Sequence, residues 1–199
     1  MPEPTEVVWH QTRIQPEDRA AALGQQPVVV WLTGLSGAGK STLANALEHT
    51  LHEQGHHSFL LDGDNIRHGL NRDLDLTPEG RRENIRRIGE VTRLFLDAGL
   101  IVVTAFISPY RADRQQVRET VGEARFFEVY VRAGLATCEQ RDPKGLYARA
   151  RRGEIRHMTG IDDPYEPPVD PALMIDTEAL DVDTAAARLL AALRKHGVI

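Results

Sequence analysis

Residues 28–54 constrain this chain more than any other stretch. Val28, Val29, Val30, Trp31, Leu32 and Thr33 form an apolar, β-branched run, which predicts a core strand over 28–33. Gly34-Leu35-Ser36-Gly37-Ala38-Gly39-Lys40-Ser41 follows at once and matches the spacing G-x-x-x-x-G-K-[ST]. A helical pattern then runs from Ser41 to Gln54. Strand, glycine loop and helix in that order form a cradle for phosphate. The glycines let the backbone turn its N–H groups inward, and the positive end of the helix faces the same anion. In such a cradle Lys40 reaches the β- and γ-phosphates and the Ser41 hydroxyl ligates Mg²⁺. The ligand class is therefore a nucleoside triphosphate with Mg²⁺. The loop leaves open where the γ-phosphate goes.

After this unit, strand and helix signals alternate. A strand over 57–62 leads through a polar loop to a helix over 78–98. A strand over 100–107 leads to a helix over 111–121, and a strand over 126–132 leads to a short helix near 135–140. A weak strand over 173–176 and a helix over 182–196 close the chain. Continuous apolar strands alternating with helices predict an α/β fold, a parallel sheet covered on both faces. Ligands in such sheets sit beyond the carboxyl ends of the strands. Residues 1–27 read as an N-terminal arm, with an extended piece at Val7-Val8-Trp9 and a short helix from Gln15 to Leu23. Residues 28–199 read as one domain. The segment 142–168 carries Lys144, Arg149, Arg151, Arg152 and Arg156 with glycines at 145, 153 and 160. It reads as a mobile lid over phosphates, or as a solvated charged helix with a loop.

Composition narrows the partners. A net charge of −5 argues against nucleic acid. The single cysteine, Cys138, excludes an internal disulfide framework, fits a reducing compartment and reads as a half-buried small residue. No apolar run reaches the length of a membrane span, and Met1 to Arg13 has no signal-peptide core, so a cytoplasmic enzyme is expected. His49, His52 and His56 share helical spacing without acidic or cysteine partners, which favours a surface face over a metal site.

The second strand ends in Asp62-Gly63-Asp64-Asn65. Carboxylates at i and i+2 point the same way if the strand continues, and on the ligand side they can hold Mg²⁺ through water or take a proton from an attacking hydroxyl. Asp-Gly and Asp-Asn also form turns, and the two readings are compatible. On the helix over 78–98, a 100° wheel puts Ile85, Ile88, Val91, Thr92, Phe95 and Leu96 on one face. Arg81 and Asn84 side with that stripe, which aims Arg81 at the cleft and an anionic substrate. Arg82, Arg86 and Arg93 read as a solvated face.

These residues resemble the adenylylsulfate kinase family, P-loop enzymes that phosphorylate the ribose 3′-hydroxyl of adenosine 5′-phosphosulfate (APS). The matching segments are Trp31 to Thr42, Leu61 to Asn71, Arg81 to Arg87, Phe106 to Arg111, Arg141 to Tyr147, Thr159 to Asp162, and Pro164-Tyr165-Glu166. The resemblance implies a three-layer P-loop kinase fold, a homodimer, and ATP on residues 34–41 and Thr42 with its adenine near Arg141. It implies that Arg67, Arg81, Asn84, Ile107, Ser108 and Thr159 hold APS, that Lys144 approaches the phosphates, and that Ser41 and Asp62 serve Mg²⁺. Asp64 is the choice for orienting or deprotonating the 3′-hydroxyl. The family also raises a phosphoserine at Ser108. Direct in-line transfer is preferred, because a positioned hydroxyl and a charge clamp suffice. Where family members commonly sandwich the APS adenine between two Phe rings, this chain has Leu76 and Met158. That departure leaves one alternative, a related kinase with another hydroxyl acceptor; the loop by itself leaves another, a non-catalytic ATP-binding regulator.

Overall fold

The computed structural model describes Val8 and residues 10–199; Val7 and Trp9 of the expected extended piece lie outside the described residues. Five strands form one parallel sheet: β1 Val29–Thr33, β2 Ser58–Asp62, β3 Ile101–Ala105, β4 Phe126–Arg132 and β5 Leu173–Asp176, in the order β2-β3-β1-β4-β5. Alternation along β1 sends Val30 and Leu32 to one face and Val29 and Trp31 to the other. The first face is covered by α2 (Lys40–Glu53) and α8 (Val182–Lys195), through Leu43, Leu47 and Leu51 and through Leu189 and Leu193. On the second lie α4 (Pro78–Asp97) and α5 (Arg111–Val121), through Ile85, Ile88 and Leu96 and through Val117 and Val121. Both faces are buried, so the strands read as unbroken apolar runs, as the sequence pattern predicts.

The helix α1 (Pro16–Leu23) ends at Gly24, and the next residues belong to the body of the fold. Gln25 Nε2 donates to the carbonyls of His57 and Gly99, each at 2.8 Å, at the amino ends of β2 and β3. The expected boundaries shift by a residue or two. One expectation changes in kind: the polar loop after β2 contains a helix, α3 (Gly63–His68). Asp62 makes it possible, because its carboxylate accepts from the Asp64 N–H at 3.0 Å and caps the first turn. The strand therefore stops at Asp62, and the alternation argument for Asp62 and Asp64 does not apply. Two further helices, α6 (Leu135–Arg141) and α7 (Leu146–Arg151), follow β4. Cys138 on α6 is fully buried, where half-burial was expected, and burial pushes its thiol up.

The register brings Asp62, Ala105, Leu32 and Val129 abreast at the carboxyl edge of the sheet. The glycine loop leaves β1 there, α3 leaves β2, Ser108 follows β3, and the 142–168 segment follows β4 and α6.

Candidate active site

A cavity of about 690 Å³ opens along that edge and holds both halves of the expected chemistry. At one end are Ser36, Gly37, Gly39, Lys40, Ser41 and Thr42; at the other are Arg67, Leu76, Arg81, Asn84 and Met158. Asp62, Asp64 and Lys144 also line it.

The loop end is shaped by backbone. A Cβ at Gly34 would lie 2.3 Å from the Val131 carbonyl oxygen, so β4 leaves room only for glycine there. Gly39, at φ 96°, caps α2 without a side-chain acceptor, so no side chain competes for the first N–H groups of the helix. Lys40 Nζ donates to the carbonyls of Gly34 and Leu35 at 2.8 and 2.7 Å, and burial lowers its pKa to about 8. Gly34, Leu35 and Ala38 do not line the cavity. Ala38 is buried and its carbonyl accepts from Thr177 Oγ1 at 2.9 Å. Ser41 Oγ donates to Asp62 Oδ2 at 2.7 Å, which joins a hydroxyl and a carboxylate beside the loop. These are the hard oxygen donors that suit Mg²⁺.

The other end concentrates positive charge in a partly dry wall. Arg81 (8 % exposed) and Asn84 (5 % exposed) lie on the buried stripe of α4, as the wheel predicts. Burial lowers the pKa of Arg81. Burial and the neighbouring Arg81 lower that of Arg67. An anion bound between them would offset that cost. Arg81 also braces the wall: Nε donates to the Leu76 carbonyl at 3.0 Å and Nη2 to that of His157 at 2.6 Å. Its guanidinium thus joins the turn before α4 to the segment carrying Met158. Arg67 Nη1 donates to the carbonyls of Leu74 and Asp75 in the same turn. Leu76 is 44 % exposed and Met158 only 5 %. Thr159 departs from expectation. It is fully buried in the turn behind Met158, bridged to Asp163, and does not line the cavity.

Ile107 and Ser108 line the wall between the two ends. Trp31 Nε1 donates to Ser108 Oγ at 3.1 Å, which fixes the hydroxyl from below. The 142–168 segment divides. Lys144 and Arg156 line the cavity, and Lys144 Nζ pairs with Asp64 Oδ2. Arg149 and Arg152 pair with Glu154, and Arg151 with Glu139, at the surface. The basic residues of the segment therefore divide between the cavity and the surface. Arg86 and Arg93 pair with Glu83 and Glu90, and Arg82 lies over the Tyr110 ring, as a solvated face would.

Sequence reasoning missed the far wall of the loop end. Thr177, Leu180, Val182 and Ala185 line it, and Arg141 reaches Thr177 Oγ1 and its carbonyl at 3.0 and 2.8 Å. No motif marks these residues; they join the site because β5 and α8 pack against β4 and α2.

The profile of the family described as adenylylsulphate kinase matches residues 26–176. The chain belongs to this family. It is 57% identical to the adenylyl-sulfate kinase of Citrobacter koseri over 193 residues, covering 97% of this chain and 96% of that one. It is 56% identical to that of Shewanella amazonensis, covering 97% and 98%. Among solved structures, the Mycobacterium tuberculosis APS kinase CysC in complex with AMPPNP and APS superposes with a TM-score of 0.82 at 44% identity. That match covers 85% of this chain and 99% of that one. Family membership makes the chain a kinase with an ATP-type donor site, and the five-stranded parallel sheet is the family's P-loop kinase fold. A gluconokinase from Sinorhizobium meliloti, at 19% identity and TM-score 0.56, shares the fold alone.

Proposed function

We propose that this chain transfers the γ-phosphoryl group of ATP to the ribose 3′-hydroxyl of APS, forming ADP and 3′-phosphoadenylylsulfate. The observation that carries the reading is one continuous cavity, with the phosphate loop at one end, the Arg67–Arg81–Asn84 wall at the other, and Asp64 lining it too. The loop N–H groups and Lys40 hold the donor phosphates, and Arg141 and Thr177 border its base. Arg67 and Arg81 hold the anionic phosphosulfate, Asn84 and Ile107 shape the sugar pocket, and Leu76 and Met158 cover the adenine. Ser41 and Asp62 would hold Mg²⁺, with phosphate oxygens and water completing its shell; the ion would neutralise charge on the transferring group. Asp64 accepts the 3′-hydroxyl proton as the oxygen attacks in line, and Lys144 moves from Asp64 to the phosphate oxygens. Ser108, its hydroxyl held by Trp31, forms the wall and takes no covalent part.

The test is ATP with Mg²⁺, with and without APS, scored for ADP and 3′-phosphorylated product. APS-dependent ADP release is expected. ADP release indifferent to APS overturns the proposal. A second reading, another hydroxyl-bearing anion as acceptor, is favoured by Leu76 and Met158, and competition between that acceptor and APS would establish it. The non-catalytic reading fails on any phosphoryl transfer lost in Lys40→Ala. Residues 28–199 are proposed as the kinase domain, with residues 1–27 as an N-terminal arm. A cytoplasmic homodimer is the proposed setting, supported by the family resemblance. Light scattering at twice the mass of one chain is the expected result. Among the described residues no helix is long and apolar enough to cross a membrane.

A further inference from the structure

Beneath the acceptor end, outside the cavity, lies a buried ion pair that the proposed chemistry does not use. Arg114 on α5 is 3 % exposed, and its Nε donates to Glu128 Oε1 on β4 at 2.8 Å. The other oxygen of Glu128 accepts from Arg118 Nη2 at 3.1 Å. Desolvating such a pair offsets most of its attraction, so stability alone is a weak reason for it. The remaining arms of the Arg114 fork reach two carbonyls far apart in sequence. Nη1 donates to Ser108 at 2.6 Å, and Nη2 donates to Glu166 at 2.8 Å. Ser108 belongs to the cavity wall, and Glu166 lies where the 142–168 segment returns to the body.

Two features show that this junction is held under constraint. Ser108 has φ 39°, in the left-handed region that a serine occupies only when its surroundings impose it. Thr33, the residue before the phosphate loop, completes the junction. Its Oγ1 donates to the Ile107 carbonyl at 2.7 Å and lies 3.0 Å from the Tyr165 hydroxyl.

We propose that Arg114 is a positioning residue for the acceptor. Its planar fork holds Ser108 in the left-handed conformation and ties the root of the lid to the same point, so the acceptor wall and the lid keep one spacing. Arg114 touches neither cavity end, and its two carbonyl partners both belong to the acceptor side and the lid. Its loss is therefore selective for acceptor over donor. The inference rests on APS being the acceptor, as proposed above.

Arg114→Lys keeps a charge opposite Glu128 but cannot span three acceptors. The variant is expected to raise the KM for APS and lower kcat, each by about tenfold or more, with the KM for ATP within about twofold. Trp31 offers a direct readout, since its indole N–H contacts the Ser108 hydroxyl. The Trp31 indole resonance in ¹H–¹⁵N spectra is expected to move in Arg114→Lys. A fall in melting temperature with the APS KM and that resonance unchanged overturns the proposal, as does an equal rise in both KM values. Should Arg114→Lys fail to fold, Glu128→Gln decides. It removes the charge that holds the Arg114 fork and is expected to raise the APS KM about two- to fivefold while sparing ATP. An unchanged APS KM there overturns the proposal. Wild-type protein without APS-dependent turnover would overturn the acceptor assignment instead, and the Trp31 resonance would still judge Arg114.

Discussion

Asp64 and Leu76 show how differently single residues declare themselves. Asp64 lines the cavity, pairs with Lys144 and is the base proposed for the acceptor hydroxyl. Asp64→Asn is expected to lower kcat by about 10²–10⁴ with little change in ATP affinity, measured by steady-state kinetics and calorimetry. Leu76 and Met158 are apolar covers, and the structure separates them. Leu76 is half-exposed and has room for a larger side chain, whereas Met158 is packed. Leu76→Phe is expected to tighten APS by about 1 kcal/mol, the low end of base–aromatic stacking. Met158→Phe adds the strain of overpacking, about 1–3 kcal/mol of stability, read as a lower melting temperature. Lys40 and Ser41 were legible because phosphate chemistry demands those types at that spacing, whereas Asp64 lines the cavity although the strand alternation that pointed to it stops at Asp62. Thr177 was not, because an ordinary threonine acquires its role only from what packs beside it.

At the scale of elements, α4 was legible and α3 was not. The 3.6-residue period along α4 separates Arg81 and Asn84 from Arg82, Arg86 and Arg93, and burial follows that division. The outer face is tied by Glu83, which accepts from Arg86 and Arg87 and whose pKa falls to about 2 through those hydrogen bonds. A carboxylate with a depressed folded pKa contributes stability that is present above its unfolded value and lost as pH falls through the folded one. Glu83→Gln is therefore expected to cost about 0.5–1 kcal/mol at pH 7, the range of exposed ion pairs. The gap should begin to shrink below the ordinary glutamate pKa of 4.5 and close near pH 2, followed by thermal melts across pH. In α3 the local residues Gly63, Asp64 and Asn65 favour a turn. The Asp62 cap, set where β2 leaves the sheet, decides for the helix.

For the whole molecule, the cavity joins the loop, both helical layers and the 142–168 segment, so ligands bound in it should stabilise the fold as a unit. Saturating ATP with Mg²⁺ at a hundred times Kd contributes about 2.7 kcal/mol, or roughly 5–10 °C in melting temperature for a chain of this size. Differential scanning fluorimetry should show that rise and lose most of it on adding EDTA. Taken alone, the sequence determined the strand–loop–helix cradle, the α/β alternation and the side of α4 that faces inward. Each of these rests on local spacing, which the backbone geometry of a loop, a strand or a helix translates directly into position. Tertiary structure decided which distant segments meet. It placed Thr177 beside Arg141, braced Leu76 and Met158 through Arg81, sent three arginines of the 142–168 segment to the surface, and set Arg114 under Ser108. Those contacts depend on strand order and on the packing of helices against the sheet, and no local pattern records either.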